Sequence, residues 1–363
     1  MKIQFGILFL VVLFSGVFLL NCNTKTDTET AASAEKEATP SYKLPEEKHF
    51  GEIRMLTDDG ENAEAYFSFD QQKLVYQAKF GQWECDQIFT MNLDGSDRKL
   101  VSTGKGRTTC SFFMPGDQTI IYASTHLDDE NCPPPPDRSK GYVWQLYDSY
   151  DIFVADLEGN IIKQMTDTPG YDAEAVVSPM GDKIAFTSMR DGDPEIYTMD
   201  IDGSNQMRLT HTMGYDGGPF FSPDGKQIVF RASRANTEDE KKDYEDLVKL
   251  GYVRPTALEI YIMNVDGSNV RKVTTHGKAS FAPYFHPDGK RIIFSSNINS
   301  ESGRDFDLYM INTDGSGLEQ ITFNDTFDGF PMFTKDGRHL VFGSNRFNKK
   351  RGDTNVFLAE WID

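Results

Sequence analysis

The chain has 363 residues, 38% of them hydrophobic and 12% aromatic, which is enough to bury a large core. No long apolar run follows the N-terminal segment, and this excludes a multi-span membrane protein built from helices. The net charge of −19 would repel a phosphate backbone, so the composition argues against nucleic acid as a partner.

Residues 1–21 have the layout of a secretory signal peptide, with one lysine and then an unbroken apolar core. The residues Leu19, Leu20 and Asn21 before Cys22 resemble a bacterial lipobox, which implies cleavage and a lipid on Cys22. The alternative is an uncleaved single membrane anchor. Either interpretation predicts a protein of the bacterial cell envelope, and the lipobox implies a lipid anchor at the periplasmic side of the outer membrane or at the cell surface.

Residues 22–48 consist mainly of Thr, Ala, Glu and Lys, with almost nothing to bury. This composition predicts a disordered tether between the lipidated cysteine and a folded body that spans residues 49–363.

The folded part is built from an internal repeat whose clearest copy is FFSPDGKQIVF, residues 220–230. Related copies occur at residues 66–76, 112–122, 176–186, 284–294 and 332–342. In every copy an apolar anchor precedes an aromatic residue by nine positions; the pairs are Phe67 and Tyr76, Phe113 and Tyr122, Val177 and Phe186, Phe221 and Phe230, Phe285 and Phe294, and Phe333 and Phe342.

Each copy continues into a third short strand, and in five copies an Asp-Gly or Glu-Gly turn then leads to a fourth, such as MRLT at residues 207–210. Glycine provides the positive φ that such hairpin turns need, so the unit is four antiparallel strands, a to d. Six units predict an all-β fold, a six-bladed β-propeller. The sixth unit lacks strand d, and residues 52–57 (EIRMLT) supply that pattern, so we expect the N-terminal strand to close the ring.

The combined pattern, SPDGK followed by IVF, IYxMNxDGSN and RLT, resembles the WD40-like (PD40) or TolB-like propeller repeat of bacterial envelope proteins. The resemblance covers residues 51–363. TolB carries an additional α/β domain before its propeller, and we expect none here because only the tether precedes residue 49. That difference puts a role in a Tol–Pal type system in doubt.

Two long insertions interrupt the repeat, and strand order places both on one face. Strands b and c are joined by turns with aromatic-to-aromatic separations of 11 to 15 residues in four blades, but of 31 in blades two and four. The insertions span residues 126–150 and 236–258. Loops of this length are usually functional or disordered, so we expect the working surface on the face that carries them.

The blade-four insertion has the pattern of a helix. Thr237 and Glu240 form a capping box, and Gly251 is a C-terminal stop signal, which together predict a helix over residues 238–250. Its apolar stripe favours a packed lid over a solvated decoration.

The blade-two insertion combines four consecutive prolines, residues 133–136, with Tyr142, Trp144 and Tyr147. Aromatic residues with polar atoms are common at interfaces, so these three are candidates for contacts with a ligand. The equally supported alternative is that they only fix the loop to the blade.

Three further cysteines, Cys85, Cys110 and Cys132, map to the same face. An oxidising compartment favours one disulfide, and we expect Cys110–Cys132 because both belong to blade two. Cys85 would then be free.

The links between blades place a set of charged residues around the channel mouth. The candidates are Asp172, Glu174, Asp216, Asp328, Arg107 and Lys278. A ring of carboxylates could hold a divalent cation, but acids that recur with a repeat more often stabilise the loops, and the second interpretation is favoured. The arginines after strand b (Arg190, Arg234, Arg346) are expected to pair with acids before strand c, such as Glu195 or Glu259.

No nucleophile elbow, phosphate loop or HExxH motif occurs in the sequence. We therefore expect a monomeric, non-catalytic binding module without a cofactor, whose partner is an envelope protein or polymer. The alternative is a metal-assisted carbohydrate lyase or hydrolase that uses the channel mouth.

Overall fold

Residues 41–363 are described by a computed structural model of the chain. The predicted signal peptide, Cys22 and the tether up to residue 40 lie outside the described residues. The described part forms six four-stranded antiparallel sheets, one α-helix, α1 (Glu238–Val248), one short 3-10 helix (Arg138–Lys140) and one additional two-stranded sheet. The sequence prediction of an all-β, six-bladed propeller is therefore confirmed.

The strands follow one another in the order that the repeat predicts. In chain order they are β1 (Phe50–Met55), β2 (Glu61–Phe67), β3 (Lys73–Lys79), β4 (Gln87–Asn92), β5 (Lys99–Leu100), β6 (Thr108–Phe113), β7 (Thr119–Ser124), β8 (Trp144–Gln145), β9 (Asp151–Asp156), β10 (Ile161–Gln164), β11 (Asp172–Val177), β12 (Lys183–Ser188), β13 (Glu195–Asp200), β14 (Met207–Arg208), β15 (Asp216–Phe221), β16 (Gln227–Ala232), β17 (Tyr252–Val253), β18 (Glu259–Asn264), β19 (Arg271–Lys272), β20 (Ser280–Phe285), β21 (Arg291–Ser296), β22 (Asp307–Asn312), β23 (Glu319–Gln320), β24 (Asp328–Phe333), β25 (His339–Ser344) and β26 (Asn355–Trp361).

Strands a to d of the blades are β2 to β5 in blade one, β6, β7, β9 and β10 in blade two, and β11 to β14 in blade three. Blade four is β15, β16, β18 and β19, blade five is β20 to β23, and blade six is β24, β25, β26 and β1. The twelve anchor residues of the repeat are all buried, which explains why the pattern recurs. Each buried side chain of this size stabilises the fold by roughly 1.5–3 kcal/mol.

The N-terminal strand closes the ring, as predicted. Strand β1 pairs antiparallel with β26, where Arg54 lies opposite Leu358. The hydroxyl of Thr57 accepts a hydrogen bond from the backbone N–H of Val356 at 2.9 Å. In every other blade the serine or threonine two positions after the fourth strand does the same, as Thr210 does for Ile196. The strand from the chain start therefore reproduces the local chemistry of an ordinary strand d.

The folded body begins earlier than residue 49. The carboxylate of Glu47 is fully buried and receives two hydrogen bonds from the Arg346 guanidinium, at 2.8 and 3.0 Å. Arg346 also binds Asp328 at 2.7 Å. Residues 41–48, which the sequence analysis placed in the tether, are thus held on blade six by a buried ion pair that composition alone does not reveal.

Strand a of every blade contains the same irregularity. Its pairing with strand b shifts register in the middle, and the residue in the shift has a φ between 48° and 60°. These residues, which we call the bulge ring, all line one small space on the propeller axis; they are Glu64, Cys110, Glu174, Gly218, Ala282 and Phe330. The bulge thus places one residue from each blade in the central channel.

Helix α1 has the predicted start, because the Thr237 hydroxyl accepts from the N–H of Glu240 at 3.2 Å. It ends two residues before the predicted Leu250, and Gly251 follows with a φ of 73°. Within residues 41–363, no helix combines the length and apolar character that crossing a membrane requires.

Candidate functional site

The two insertions are joined to each other over the channel mouth. Strand β8 from the blade-two insertion pairs antiparallel with β17 from the blade-four insertion, and Trp144 lies opposite Val253. The N–H of Leu146 also donates to the carbonyl of Gly251 at 2.7 Å. We call residues 126–150 and 236–258 together the lid, since these backbone contacts join the two insertions.

Helix α1 packs as part of the lid. Leu247 is buried, and the Tyr244 hydroxyl donates to the Asp193 carboxylate of blade three. Arg254 pairs with Asp243 at 3.0 Å and donates to the carbonyl of Lys140 at 3.1 Å, which links the two insertions again. These contacts support the packed-lid interpretation of the helix.

The disulfide joins Cys85 to Cys132, so the expected Cys110–Cys132 pairing is wrong. The blade-two insertion leans towards blade one, where the N–H of Gly106 donates to the carbonyl of Glu130 at 2.8 Å. Cys132 is thereby brought next to Cys85, with 5.8 Å between the two Cα atoms. Among the cysteines of residues 41–363, Cys110 is free, because its position in the bulge ring turns it into the channel, away from the insertion.

A cavity of about 560 Å³ lies under the lid at the channel mouth. Blades one to four contribute charged and polar groups together with tyrosines. Blades five and six contribute an aromatic surface, which we call the phenylalanine wall; its residues are Phe281, Phe306, Phe327 and Phe330. Blade five also contributes the exposed Arg304. Trp144 and Tyr147 cover the cavity from the lid. The cavity is therefore polar on one side and aromatic on the other.

Glu174 is the most fully hydrogen-bonded carboxylate of the cavity. It accepts from the Thr187 hydroxyl at 2.6 Å, from the N–H of Gly218 at 2.8 Å and from the Tyr215 hydroxyl at 3.2 Å. The Arg231 guanidinium donates to the same carboxylate and to the Tyr215 oxygen, the latter at 2.7 Å. Four donors therefore fix the position of the Glu174 carboxylate on the polar side of the cavity.

Two glycines make room for this network. A Cβ at Gly218 would lie 1.9 Å from an Arg231 nitrogen, and a Cβ at Gly217 would lie 2.2 Å from the Tyr215 oxygen. Gly218 also has a φ of 59°, where a side chain is strained. Blade four alone has two glycines here, and it alone has an arginine directly after the strand b aromatic.

Glu64 and Asp86, in contrast, face the cavity without an ion-pair partner. Within residues 41–363, neither carboxylate makes an ion pair within 4.0 Å; Glu64 has the Cys110 thiol beside it, and Asp86 has its own backbone N–H. Burial raises the pKa of Glu64 to about 7, and the negative charges of Glu174 and Asp86 contribute to the rise. The Cys110 thiol and the Arg231 charge offset part of it.

Burial also raises the pKa of Asp86, and the charge of Arg107 opposes the shift. Arg107 itself lies over the Tyr147 ring, 5.8 Å from its centroid. This end of the cavity is therefore a place where carboxylates are incompletely stabilised by the protein.

The structure separates the predicted site residues into two groups. Glu174, Arg107, Tyr142, Trp144 and Tyr147 all line the cavity. Lys278 is half-buried and lies outside the cavity lining.

The other candidates are parts of structural ion pairs. Asp172 binds Arg190 at 3.1 Å, Asp216 binds Arg234 at 2.6 Å, and Asp328 binds Arg346 at 2.7 Å. The prediction that these arginines pair with Glu195 or Glu259 is wrong, because the side chains turn back to the first residue of strand a in the same blade. Glu195 binds Arg208 at 2.6 Å instead, and Glu259 accepts from the Thr274 hydroxyl at 2.5 Å.

These pairs remove the carboxylate ring as a cation site. Three of the four candidate acids are neutralised by arginines within their own blades. In the part of the chain that the structure describes, no three His, Cys, Asp or Glu side chains form a group that could hold a metal ion.

Sequence reasoning missed the remaining functional candidates, although a signal existed for some of them. The residues after the strand b aromatics are Gln77, Ala123, Thr187, Arg231, Ser295 and Gly343. Arg231 is the only charged residue of this set. Asp86, Phe306 and Phe327 lie in loops where the repeat sets no pattern, whereas Phe281 and Phe330 lie within strands β20 and β24.

The opposite mouth of the channel contains a second cavity, of about 410 Å³. Its lining is mostly apolar and includes Phe69, Met180 and Phe220, with Lys335 at the edge. The bulge ring lies between the two cavities, because Glu174 lines the lid-side cavity and Phe220 the other, and both line the small space on the axis.

The fold and the repeat define a six-bladed β-propeller with one channel mouth covered by a lid. Residues 136–247 match the family model described as TolB beta propeller domain, PD40. This match confirms the resemblance to the TolB-like propeller repeat that the motifs indicated.

Solved structures agree with this fold. A putative TolB from Agrobacterium tumefaciens superimposes with a TM-score of 0.57 at 20% identity, over 85% of this chain and 94% of that chain. TolB from Acinetobacter baumannii gives 0.55 at 18% identity, over 83% of this chain and 63% of that chain. A gluconolactonase from Xanthomonas campestris gives 0.56 at 13% identity, over 86% and 91%. At these identities the likeness concerns the fold alone.

Proposed function

We propose that the chain is a non-catalytic binding module of the bacterial envelope that holds part of a protein or envelope polymer in the lid-side cavity. The observation that carries this proposal is the cavity of about 560 Å³ with one polar and one aromatic side. Ligand sites are concave and mostly apolar, with a few placed polar groups, and this cavity has that composition.

The lid contributes two kinds of aromatic residue, those held in place by contacts and one that is exposed. The Tyr147 hydroxyl donates to the carbonyl of Pro134 at 2.8 Å, and the Trp144 ring lies 5.2 Å from the Arg231 guanidinium. Both residues are thus fixed in place while their rings still line the cavity. Tyr142 is 68% exposed at the rim and is available to a partner that approaches from outside.

The proposal includes the envelope location that the first 22 residues predict. A lipid on Cys22 and a tether would keep the propeller at a membrane surface, where an envelope protein or polymer is the available partner. The metal-assisted enzyme alternative is not supported by the candidate acids, since three of the four are held by arginines.

Site-specific photo-crosslinking in the native envelope tests the binding face. A photo-crosslinking amino acid replaces Tyr142 at the lid rim in one variant and Met180 at the opposite mouth in another. These two side chains are matched in exposure, at 68% and 63%. We expect a defined crosslinked product, identified by mass spectrometry, from position 142 and none from position 180.

A third variant replaces residues 237–250 by a short turn while the crosslinker stays at position 142. We expect the product to be lost, because removal of helix α1 takes away the support of β17. Products from position 180 alone would show that the lid face is not the binding face. If neither position gives a product, the binding-module function fails.

A further inference from the structure

The residues that line the lid-side cavity indicate the chemical class of its ligand, and this inference rests on the proposed function. We propose that the cavity binds a protonated amine that carries an apolar group, with the ammonium at Glu64 and Asp86 and the apolar group on the phenylalanine wall. A lysine side chain, a polypeptide N-terminus or an amino-substituted polymer could present this chemistry.

The acidic end of the cavity lacks the donors that the other carboxylates have. Glu174 accepts from four donors, whereas Glu64 has only the Cys110 thiol beside it, and Asp86 has its own backbone N–H and the charge of Arg107 without an ion pair. A carboxylate kept partly from water without partners is unfavourable, and a cationic donor compensates it most strongly.

The arginines that line the cavity do not form ion pairs with Glu64 or Asp86. Arg231 is engaged by Glu174 and Tyr215, and its guanidinium also lies over the Trp144 ring. Arg107 lies over Tyr147, and the third arginine of the lining, Arg304, is exposed. Neither of them makes an ion pair within 4.0 Å with Glu64 or Asp86 in the described part of the chain. The groups that face Glu64 are therefore a thiol, two acids and one arginine that is already paired.

The apolar end of the cavity is complementary to a hydrocarbon group. Phe306, Phe327 and Phe330 are each partly exposed, and Phe281 packs against all three with ring centroids 5.1 to 6.3 Å apart. In a folded propeller such rings are normally covered, as the anchors of the repeat are. Aromatic faces also attract a nearby cation, which reinforces binding at the acidic end.

The acidic end and the apolar end of the cavity meet at the bulge ring. Glu64 and Phe330 occupy equivalent positions in neighbouring blades one and six, and both line the floor of the cavity. A ligand with an ammonium close to an apolar group can therefore contact both residues at once.

Isothermal titration of the full chain with small probes tests the inference. The probe is 2-phenylethylamine, and its neutral isostere 2-phenylethanol and the anion 3-phenylpropionate are the comparisons. We expect the amine to bind at least about tenfold more tightly than the alcohol, which is the effect of one charge-assisted hydrogen bond. The anion is expected not to bind.

Variants assign the two ends. Glu64→Gln should weaken the amine about tenfold and leave the alcohol unchanged, while Phe330→Ala should weaken both probes. Glu301→Gln changes an exposed acid in the strand b to strand c loop of blade five and should change neither. Far-UV circular dichroism confirms that each variant keeps the fold.

The pH dependence gives a second readout. Binding to the ionised Glu64 should strengthen from about pH 6 to about pH 8, over which the amine stays protonated. Equal binding of amine and alcohol, absence of amine binding, or an unchanged affinity in Glu64→Gln would each overturn the inference. Crosslinking at position 142 with no amine binding would leave the binding module standing and refute only its ligand chemistry.

Discussion

Arg231 is expected to be a major stabilising residue of the channel wall. Its side chain is only 12% exposed and is held between the Glu174 carboxylate, 9% exposed, and the rings of Trp144 and Tyr215. Arg231→Met keeps most of the volume but leaves Glu174 without its cation. Removing one partner of a buried ion pair lowers the free energy of unfolding by about 3–5 kcal/mol. Because three neutral donors still bind Glu174, we expect a loss of about 3 kcal/mol here.

Urea denaturation measures this loss, with far-UV circular dichroism and tryptophan fluorescence required to coincide before a free energy of unfolding is derived. Arg338→Met is the matched control, because Arg338 is 81% exposed beside Asp336 and should change stability by less than about 0.5 kcal/mol.

A double-mutant cycle isolates the pair from the rest of the packing. Glu174→Gln should also cost about 3 kcal/mol, since it leaves Arg231 uncompensated. In the double variant the loss in the free energy of unfolding should be about 2 kcal/mol smaller than the sum of the two single losses. The reason is that neither an unpaired carboxylate nor an unpaired guanidinium then remains. Additive losses, or an Arg231→Met variant as stable as the control, would refute the proposed coupling.

Three further predictions concern other parts of the propeller. Glu64→Gln should be more stable than the native chain at pH 8 by about 1–3 kcal/mol and equally stable near pH 4. Burial raises the pKa of Glu64 in the folded state to about 7, so the native chain loses stability as the pH rises from about 4.5 and Glu64 becomes ionised. Denaturation at several pH values measures the difference, and a pH-independent difference would contradict the prediction. Cys132→Ser should cost up to about 4 kcal/mol, from opening the 47-residue loop to Cys85, and expose the blade-two insertion to protease, whereas Cys110→Ser should do neither. Thr57→Val should lower stability by about 1–3 kcal/mol in thermal unfolding, since it leaves the buried N–H of Val356 without an acceptor, and an unchanged midpoint would argue against closure by β1.

The fold could be predicted from the sequence because its information is local and repeated six times. The anchors at nine-residue spacing, the Asp-Gly turns and the missing last strand each depend on neighbours in the chain. The match of EIRMLT to an ordinary strand d even identified the closing strand, and the shared role of its threonine explains why that short pattern was sufficient.

The site was only partly predictable because it depends on contacts between blades. Glu174 and Arg107 were identified from their positions in the links, but nothing in the sequence shows that Glu174 meets Arg231, which lies 57 residues further along the chain. The disulfide was mispredicted for the same reason: membership of one blade suggested Cys110, while the path of the insertion brings Cys132 to Cys85.

The arginines after strand b show how a repeated residue becomes structural. Arg190, Arg234 and Arg346 each bind the first acid of their own strand a, so the repeat itself neutralises the charges that would otherwise face the mouth. These three acids are therefore neutralised within their own blades and are not candidates for binding a ligand.

The departures from the repeat identify the functional surface instead. The bulge gives every blade one residue in the channel, and the six residues are of five types: two glutamates, a cysteine, a glycine, an alanine and a phenylalanine. A structural requirement for the left-handed backbone alone would favour glycine or asparagine at all six positions. Only one is glycine, and that glycine makes space for Arg231. The strained backbone is therefore kept while the side chains vary around the ring, which is the pattern expected when a symmetric scaffold presents an asymmetric binding cavity.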